Sequence, residues 1–148
     1  MSLSEGLLKV RTLFIDTAPI IYYIEAHPRY GPLIINAVNS FEKEKIKVYT
    51  SVITLTEVIS KPIEKGDKKL VKEFIDFLRH GKNLNLTDIN VNVAEKAGLL
   101  KGNYSDLKTI DAIQISSAIE IGSDAFLTND KRLKKIKEIK VMVLEDYL

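Results

Sequence analysis

The sequence predicts an α/β fold in which a parallel sheet is covered by helices on both faces, giving a three-layer α/β/α arrangement. Short apolar segments of strand length alternate along the chain with longer segments of helical period. The strand-like segments are continuous apolar runs, the pattern of strands buried on both faces of a parallel sheet. The 148 residues, 45% hydrophobic and 28% charged, fit one domain spanning residues 1–148.

Five strands are predicted, each a short apolar run bounded by turn or capping residues. They cover residues 13–15, 46–50, 83–86, 125–128 and 141–144. The intervening helices are predicted from the spacing of their apolar side chains. They cover about residues 19–24, 33–45, 52–63, 67–79, 88–100 and 106–121, and a short basic helix follows Asp130. Gly81 and Gly122 are expected to end two of these helices.

Capping residues set the expected helix starts. Ser51 is predicted to cap the helix that follows the second strand, because a serine oxygen accepts a hydrogen bond from a free backbone N–H of the first turn. Thr87 or Asp88 is predicted to cap the helix after the third strand. Ser105 or Asp106 is predicted to begin the long helix that ends at Gly122.

Composition excludes several kinds of site. The chain has no cysteine, which rules out disulfides, thiolate metal ligands and a cysteine nucleophile. No apolar run approaches the length of a membrane span, and the first residues lack the apolar stretch of a signal peptide. We therefore expect no membrane association and a cytoplasmic location.

Two aspartates follow strands that a parallel sheet would place side by side. Asp16 comes directly after the first strand, and Asp130 follows the fourth strand through Thr128 and Asn129. Ligands of open parallel sheets bind beyond the carboxyl ends of the strands, so both carboxylates are candidate site residues. The alternative for each is a helix N-cap, a position at which aspartate is common.

Asp111 and Glu57 are the other two candidate carboxylates. On a helix drawn through Leu107, Asp111 falls within the apolar arc, where a carboxylate is costly unless it is paired, hydrogen-bonded or bound to metal. A buried aspartate satisfied by a lysine or by backbone amides is the alternative. Glu57 looks like an ordinary solvated glutamate, except that its helix places it just after the second strand.

Four carboxylates gathered at one edge would repel one another and would need protons, cations or a metal ion to neutralise them. Oxygen ligands in a chain with no cysteine and two histidines favour Mg²⁺ or Mn²⁺ over Zn²⁺. Because Mg²⁺ is commonly completed by waters and phosphate oxygens, phosphoryl transfer is the chemistry that such a site favours.

The chain resembles the PIN-domain nucleases, and among them the small toxin ribonucleases of the VapC type. The resemblance rests on the order and spacing of four segments. They are Leu13-Phe14-Ile15-Asp16-Thr17, Thr54-Leu55-Thr56-Glu57-Val58, Leu107-Lys108-Thr109-Ile110-Asp111-Ala112-Ile113-Gln114 and Phe126-Leu127-Thr128-Asn129-Asp130.

The resemblance implies a five-stranded parallel sheet of order 3-2-1-4-5 and a Mg²⁺- or Mn²⁺-dependent endoribonuclease. It implies that the metal ligands and catalytic acids are Asp16, Glu57, Asp111 and Asp130. Thr128 matches the hydroxyl residue that supports such sites, and Thr17 is a weaker candidate for the same role. An antitoxin partner and a homodimer are implied as well.

Two lysine-rich stretches are candidate RNA contacts. Residues 131–140 contain six lysines and arginines with one acid, and residues 61–72 contain five lysines with two acids, although the net charge is only +2. We expect Lys131, Arg132, Lys134 and Lys61 to contact RNA phosphates. Solvated helix faces are the alternative explanation of these charges.

Two other functions remain open at this point. A haloacid-dehalogenase-type phosphatase also places an aspartate after its first strand, but it needs a second one two residues later, where this chain has Ala18. A PIN-like domain can also serve as a non-catalytic RNA-binding or assembly module. Retention of all four acids favours the enzyme.

Overall fold

A computed structural model describes residues 1–148 and contains seven α-helices and five strands. The strands are β1 (Thr12–Ile15), β2 (Lys47–Ser51), β3 (Leu84–Thr87), β4 (Ala125–Thr128) and β5 (Lys140–Val143). The helices are α1 (Leu3–Leu7), α2 (Thr17–Ile24), α3 (Gly31–Lys43), α4 (Val52–Glu64), α5 (Lys68–His80), α6 (Val91–Asn103) and α7 (Thr109–Glu120). Two short 3-10 helices, Lys131–Lys135 and Leu144–Tyr147, lie near the C-terminus.

All five strands are parallel and lie in the order β3-β2-β1-β4-β5, which confirms the predicted fold class and strand order. The central strand β1 pairs with β2 on one side and with β4 on the other. Ile15 is opposite Leu127, so the residues that leave β1 and β4 emerge next to each other. This register determines where the acidic residues meet.

Alternating side chains of each strand enter two separate cores. Leu13 and Ile15 pack with helices α1 to α5 on one face, whereas Phe14 packs with α6, α7 and the 3-10 helix Lys131–Lys135 on the other. Phe14 stacks on Phe126 of the neighbouring strand, with ring centroids 5.5 Å apart. Strands β1 and β4 are apolar at three of their four positions, because both faces of the sheet are covered there. Strands β2 and β3 differ from the predicted continuous apolar runs, since half or more of their residues are polar.

Helix α7, which contains Asp111, begins later than predicted. Residues 104–107 form a turn in which Leu107 N donates to Tyr104 O, and Lys108 has an extended backbone that caps α7. Leu107 is buried as an anchor outside the helix. Asp111 therefore lies in the first helical turn, and neither Ser105 nor Asp106 starts the helix.

The start of α6 differs from expectation, whereas α5 ends at Gly81 as predicted. Asn90, rather than Thr87 or Asp88, caps α6, because Thr87 is still paired in β3 while the Asn90 side chain accepts a hydrogen bond from Val93 N. Gly81 ends α5 with an ordinary φ of −62°. The glycine is needed because a Cβ there would lie 2.3 Å from Phe77 O.

Helix α1 was not predicted, although the sequence carries its signal. Ser2 and Glu5 form a capping box in which each side chain accepts from the other's backbone N–H. The helix is only five residues long and is held by burial of Leu3 and Leu7. No helix in the chain combines the length and the apolar character needed to cross a membrane.

Candidate active site

The acidic residues lie at the carboxyl edge of the sheet, on four different elements. Asp16 caps α2 directly after β1, Glu57 lies on α4 after β2, and Asp130 caps the 3-10 helix after β4. Asp111 lies in the first turn of α7. Asp16 and Asp130 are therefore N-caps, as the alternative interpretation held, but their surroundings go beyond what capping requires.

Asp16 is a partly buried acid that accepts two hydrogen bonds. Its Oδ1 accepts from the Thr17 backbone N–H at 2.9 Å, and its Oδ2 accepts from the Thr128 hydroxyl at 2.8 Å. Burial is the main influence on this carboxyl and raises its pKa to about 6, against the lowering effect of the two hydrogen bonds. The negative charges of Asp111 and Glu57 raise that pKa further.

Glu57 joins the site through Thr17. The Thr17 hydroxyl donates to Glu57 Oε1 at 2.6 Å, while the Thr17 backbone N–H contacts Asp16. One residue thus orients two of the acids from the start of α2. Glu57 is only partly exposed, so the expectation of an ordinary solvated glutamate was wrong.

Asp111 has no cation partner, because no ion pair of the chain includes it. Burial and the charge of Asp130 raise the pKa of this half-buried carboxyl, and Lys108 and Arg132 oppose that rise. With Asp130 it lines a cavity of about 110 Å³. The alternative in which a lysine neutralises Asp111 by direct contact is not what the structure shows.

Asp130 is held differently from the other three acids. Its Oδ1 accepts from the Arg132 backbone N–H and Nε, both at 3.0 Å, and its Oδ2 accepts from Arg132 Nη2 at 2.7 Å. Hydrogen bonding by Arg132 holds the pKa of Asp130 below its usual range. The Asp130 backbone N–H donates to Thr128 Oγ1 at 3.1 Å. Thr128 therefore connects Asp16 to Asp130.

A buried hydrogen-bond network, which was not predicted from the sequence, connects β1, β2, α4 and α7 next to the acids. Gln114 Nε2 donates to Thr54 Oγ1 at 2.8 Å, and the Ser51 hydroxyl donates to Gln114 Oε1. Thr50 shares a 2.7 Å hydrogen bond with Thr54 and donates to Ile15 O. The available signal was Gln114, the sole glutamine, one turn after Asp111 on a largely apolar helix.

The predicted RNA contacts lie on two elements that also carry or follow one of the acids. Lys131, Arg132 and Lys134 follow Asp130 on the 3-10 helix, and Lys61 lies one turn after Glu57 on α4. Lys61 and Lys131 are exposed and make no ion pair, whereas Lys134 is paired with Asp146. Arg132 is paired with Asp130.

The donor set fits a hard divalent cation, because it consists of carboxylate and hydroxyl oxygens and three of the four acids lack a basic partner. As the side chains stand, no three acidic or histidine groups converge closely enough to ligate a single ion. Thr17 and Arg132 hold two of the carboxylates in their present orientations.

Replacing Asp16 with asparagine should flatten the pH dependence of stability. The folded-state pKa of about 6 exceeds the ordinary value of 3.8, so the folded state binds the proton more tightly and loses stability as pH rises between these values. We expect the wild-type free energy of unfolding to fall by about 2 kcal/mol from this group. Urea denaturation in EDTA at pH 4.5 and 7.5 measures the difference between the two proteins. Equal slopes with pH would contradict this explanation.

The chain is an α/β protein with a parallel five-stranded sheet and acidic residues at the carboxyl edge of that sheet. The model of the PIN domain family matches residues 13–139, so the chain belongs to the PIN domain family. No curated protein matches the sequence significantly.

Solved structures share this fold at low sequence identity. The first is VapBC2 from Rickettsia felis bound to a promoter DNA fragment, with TM-score 0.73 and 20% identity over 89% of this chain and 98% of that one. DNA-bound VapBC from Salmonella typhimurium has a TM-score of 0.66 and 18% identity, over 90% of this chain and 98% of that one. VapC20 of Mycobacterium tuberculosis is a toxin that cleaves the sarcin-ricin loop. It has a TM-score of 0.64 and 14% identity, over 86% of this chain and 98% of that one.

Proposed function

We propose that this protein is a divalent-metal-dependent endoribonuclease that acts as the toxin of a toxin–antitoxin pair. The observation that carries the proposal is that four acidic residues from four elements lie at one edge of the sheet and influence one another's pKa, three of them without a cation partner. Such a charge distribution is unfavourable for a purely structural role, since burial and mutual repulsion already raise the pKa of Asp16 and Asp111.

The residues that would hold Mg²⁺ or Mn²⁺ are Asp16, Glu57, Asp111 and Asp130. When bound, the ion neutralises charge on the phosphate and lowers the pKa of a water molecule. Thr17 and Thr128 orient Asp16 through its two oxygens. Glu57 has one oxygen engaged by Thr17, which leaves Oε2 able to accept a proton from the attacking water.

The exposed basic side chains would hold the RNA backbone on both sides of the acids. Lys131 and Lys61 carry unpaired charges, and Lys134 and Arg132 would exchange their present acidic partners for phosphate. Binding of this kind depends on salt and little on base sequence. The neighbouring VapC20, which cleaves the sarcin-ricin loop, supports RNA as the substrate class.

A protein partner is part of the proposal. Two of the similar folds are toxin subunits seen in VapBC complexes with DNA, which supports a cognate antitoxin for this chain. Homodimer formation stays a prediction. A phosphatase of the haloacid-dehalogenase type is not supported, because Ala18 follows Asp16 where that chemistry needs a second carboxylate.

Cleavage of a labelled RNA by the purified protein should require Mn²⁺ or Mg²⁺ and should stop in EDTA. Attack by water predicts products with a 5′-phosphate and a 3′-hydroxyl, which end-specific ligation can detect. Contaminating ribonucleases that leave a 2′,3′-cyclic phosphate without metal would be recognised by those ends. If RNA binds but is not cleaved at any metal concentration, the protein is a binding module and the proposal fails.

A further inference from the structure

Arg132 engages Asp130 more completely than any other base engages an acid in this chain. The backbone N–H and Nε of Arg132 donate to Oδ1, and Nη2 donates to Oδ2, at 2.7 to 3.0 Å. Both carboxylate oxygens are therefore occupied, and the pair is electrically neutral. A carboxylate in this state is a poor ligand for a cation until the guanidinium leaves.

The guanidinium is free to leave, because it is the outer member of the pair. The Arg132 side chain is 66% exposed, whereas that of Asp130 is 26% exposed. Asp130 is the N-cap of a short 3-10 helix and Arg132 is the second residue of that helix, so no rearrangement of the core is needed to separate them. Exposed ion pairs of this type alter an equilibrium by no more than about fivefold.

The surroundings of Arg132 offer a place for a phosphate. A cavity of about 110 Å³ is bordered by Arg132, Asp111, Asp130 and Lys108. Lys135 also lines this cavity but is bound to Asp106, while Lys108 makes no ion pair and faces the two acids from the start of α7. An arginine fork matches two phosphate oxygens as well as it matches a carboxylate.

We propose that Arg132 is a positioning residue that exchanges Asp130 for an RNA phosphate, so that substrate binding releases Asp130 to hold the divalent ion. The inference rests on the proposed nuclease function and adds an order to it. Without RNA, the fork of Arg132 competes with the ion for both oxygens of Asp130. When RNA is bound, a phosphate binds the Arg132 guanidinium, and the Asp130 carboxylate becomes available to the ion.

The first test measures Mn²⁺ affinity by titration calorimetry without RNA. Arg132→Ala should bind Mn²⁺ about three- to fivefold more tightly than wild type. Arg132→Lys, which keeps the charge but cannot span both oxygens, should also bind more tightly than wild type. Lys137→Ala is the matched control, because its exposed side chain belongs to the same segment and forms no ion pair with an acid, and it should behave as wild type.

The second test measures RNA affinity in EDTA by fluorescence anisotropy, where no cleavage occurs. Asp130→Asn frees Arg132 and should tighten RNA binding several-fold. In an Arg132→Ala background the same substitution should have a clearly smaller effect, because the freed group is missing. Comparing the two backgrounds separates release of Arg132 from the general benefit of removing a negative charge.

The outcomes separate this inference from the proposed function. Equal Mn²⁺ affinity in wild type, Arg132→Ala and Arg132→Lys, with metal-dependent cleavage intact, would overturn the exchange and leave the nuclease standing. If Lys137→Ala increased Mn²⁺ affinity as much as Arg132→Ala does, the exchange would also be overturned. That result would show a general effect of removing a positive charge. Absence of Mn²⁺ binding in every variant, even with RNA present, would overturn both proposals.

Discussion

Asp111→Asn should remove metal-dependent RNA cleavage while leaving the protein folded and equally or more stable. The carboxylate is half-buried beside Asp130 and forms no ion pair, so its charge is present at a cost that Lys108 and Arg132 offset only in part and that a bound cation would offset further. Asparagine keeps the size and removes the charge. We expect the cleavage rate to fall by at least about a hundredfold, with an unchanged or higher midpoint of urea unfolding.

Asp88→Asn is the matched control for this variant. Asp88 is an exposed aspartate in the loop after the outer strand β3, which β2 separates from β1, and it forms no ion pair. Its replacement also removes one negative charge. It should leave cleavage unchanged. Wild-type cleavage by Asp111→Asn would show that Asp111 is not part of the catalytic site.

Thr128→Val should lower cleavage by about ten- to a hundredfold and lower the free energy of unfolding by about 1–3 kcal/mol, because Asp16 Oδ2 and the Asp130 backbone N–H lose their partner. The Thr128 hydroxyl donates to Asp16 and accepts from the Asp130 backbone, so its removal frees two of the acids from their present positions. Valine has nearly the same shape and suits a buried strand position. Single-turnover cleavage and Mn²⁺ titration would both report the loss.

Thr12→Val controls for the chemical change. Thr12 opens β1 at the opposite edge of the sheet, is partly buried, and makes no side-chain hydrogen bond. It should cleave RNA as wild type does. A loss of cleavage in Thr12→Val equal to that in Thr128→Val would indicate a general effect on the sheet rather than a role at the acids.

The sheet could be predicted from the sequence because its physical signal is local. Strands buried on both faces are mostly apolar, as β1 and β4 are, and the rule that ligands lie beyond parallel strands then points to Asp16 and Asp130. Their proximity needed only the position of β1 beside β4. Asp111 was selected for a reason that proved partly wrong, since Leu107 lies outside the helix that was used to orient it.

The contacts around the acids could not be predicted in the same way. The hydrogen bond from Gln114 to Thr54 depends on how α7 is rotated against α4, and no local pattern encodes that rotation. The Arg132 fork depends on one side-chain conformation within a stretch that looks uniformly basic. Sequence reasoning identified Thr17 only as a weak candidate, whereas the structure shows it contacting both Asp16 and Glu57.

The hydrophobic core extends past both ends of the segment that matches the family. Leu3 and Leu7 before it, and Met142 and Leu144 after it, are each at most 2% exposed and share one core. Deleting four such side chains removes on the order of 10 kcal/mol, comparable to the whole stability of an ordinary domain. We therefore expect that a fragment of residues 13–139 would still match the family model but would not fold. The segment that matches the family is shorter than the segment that folds cooperatively.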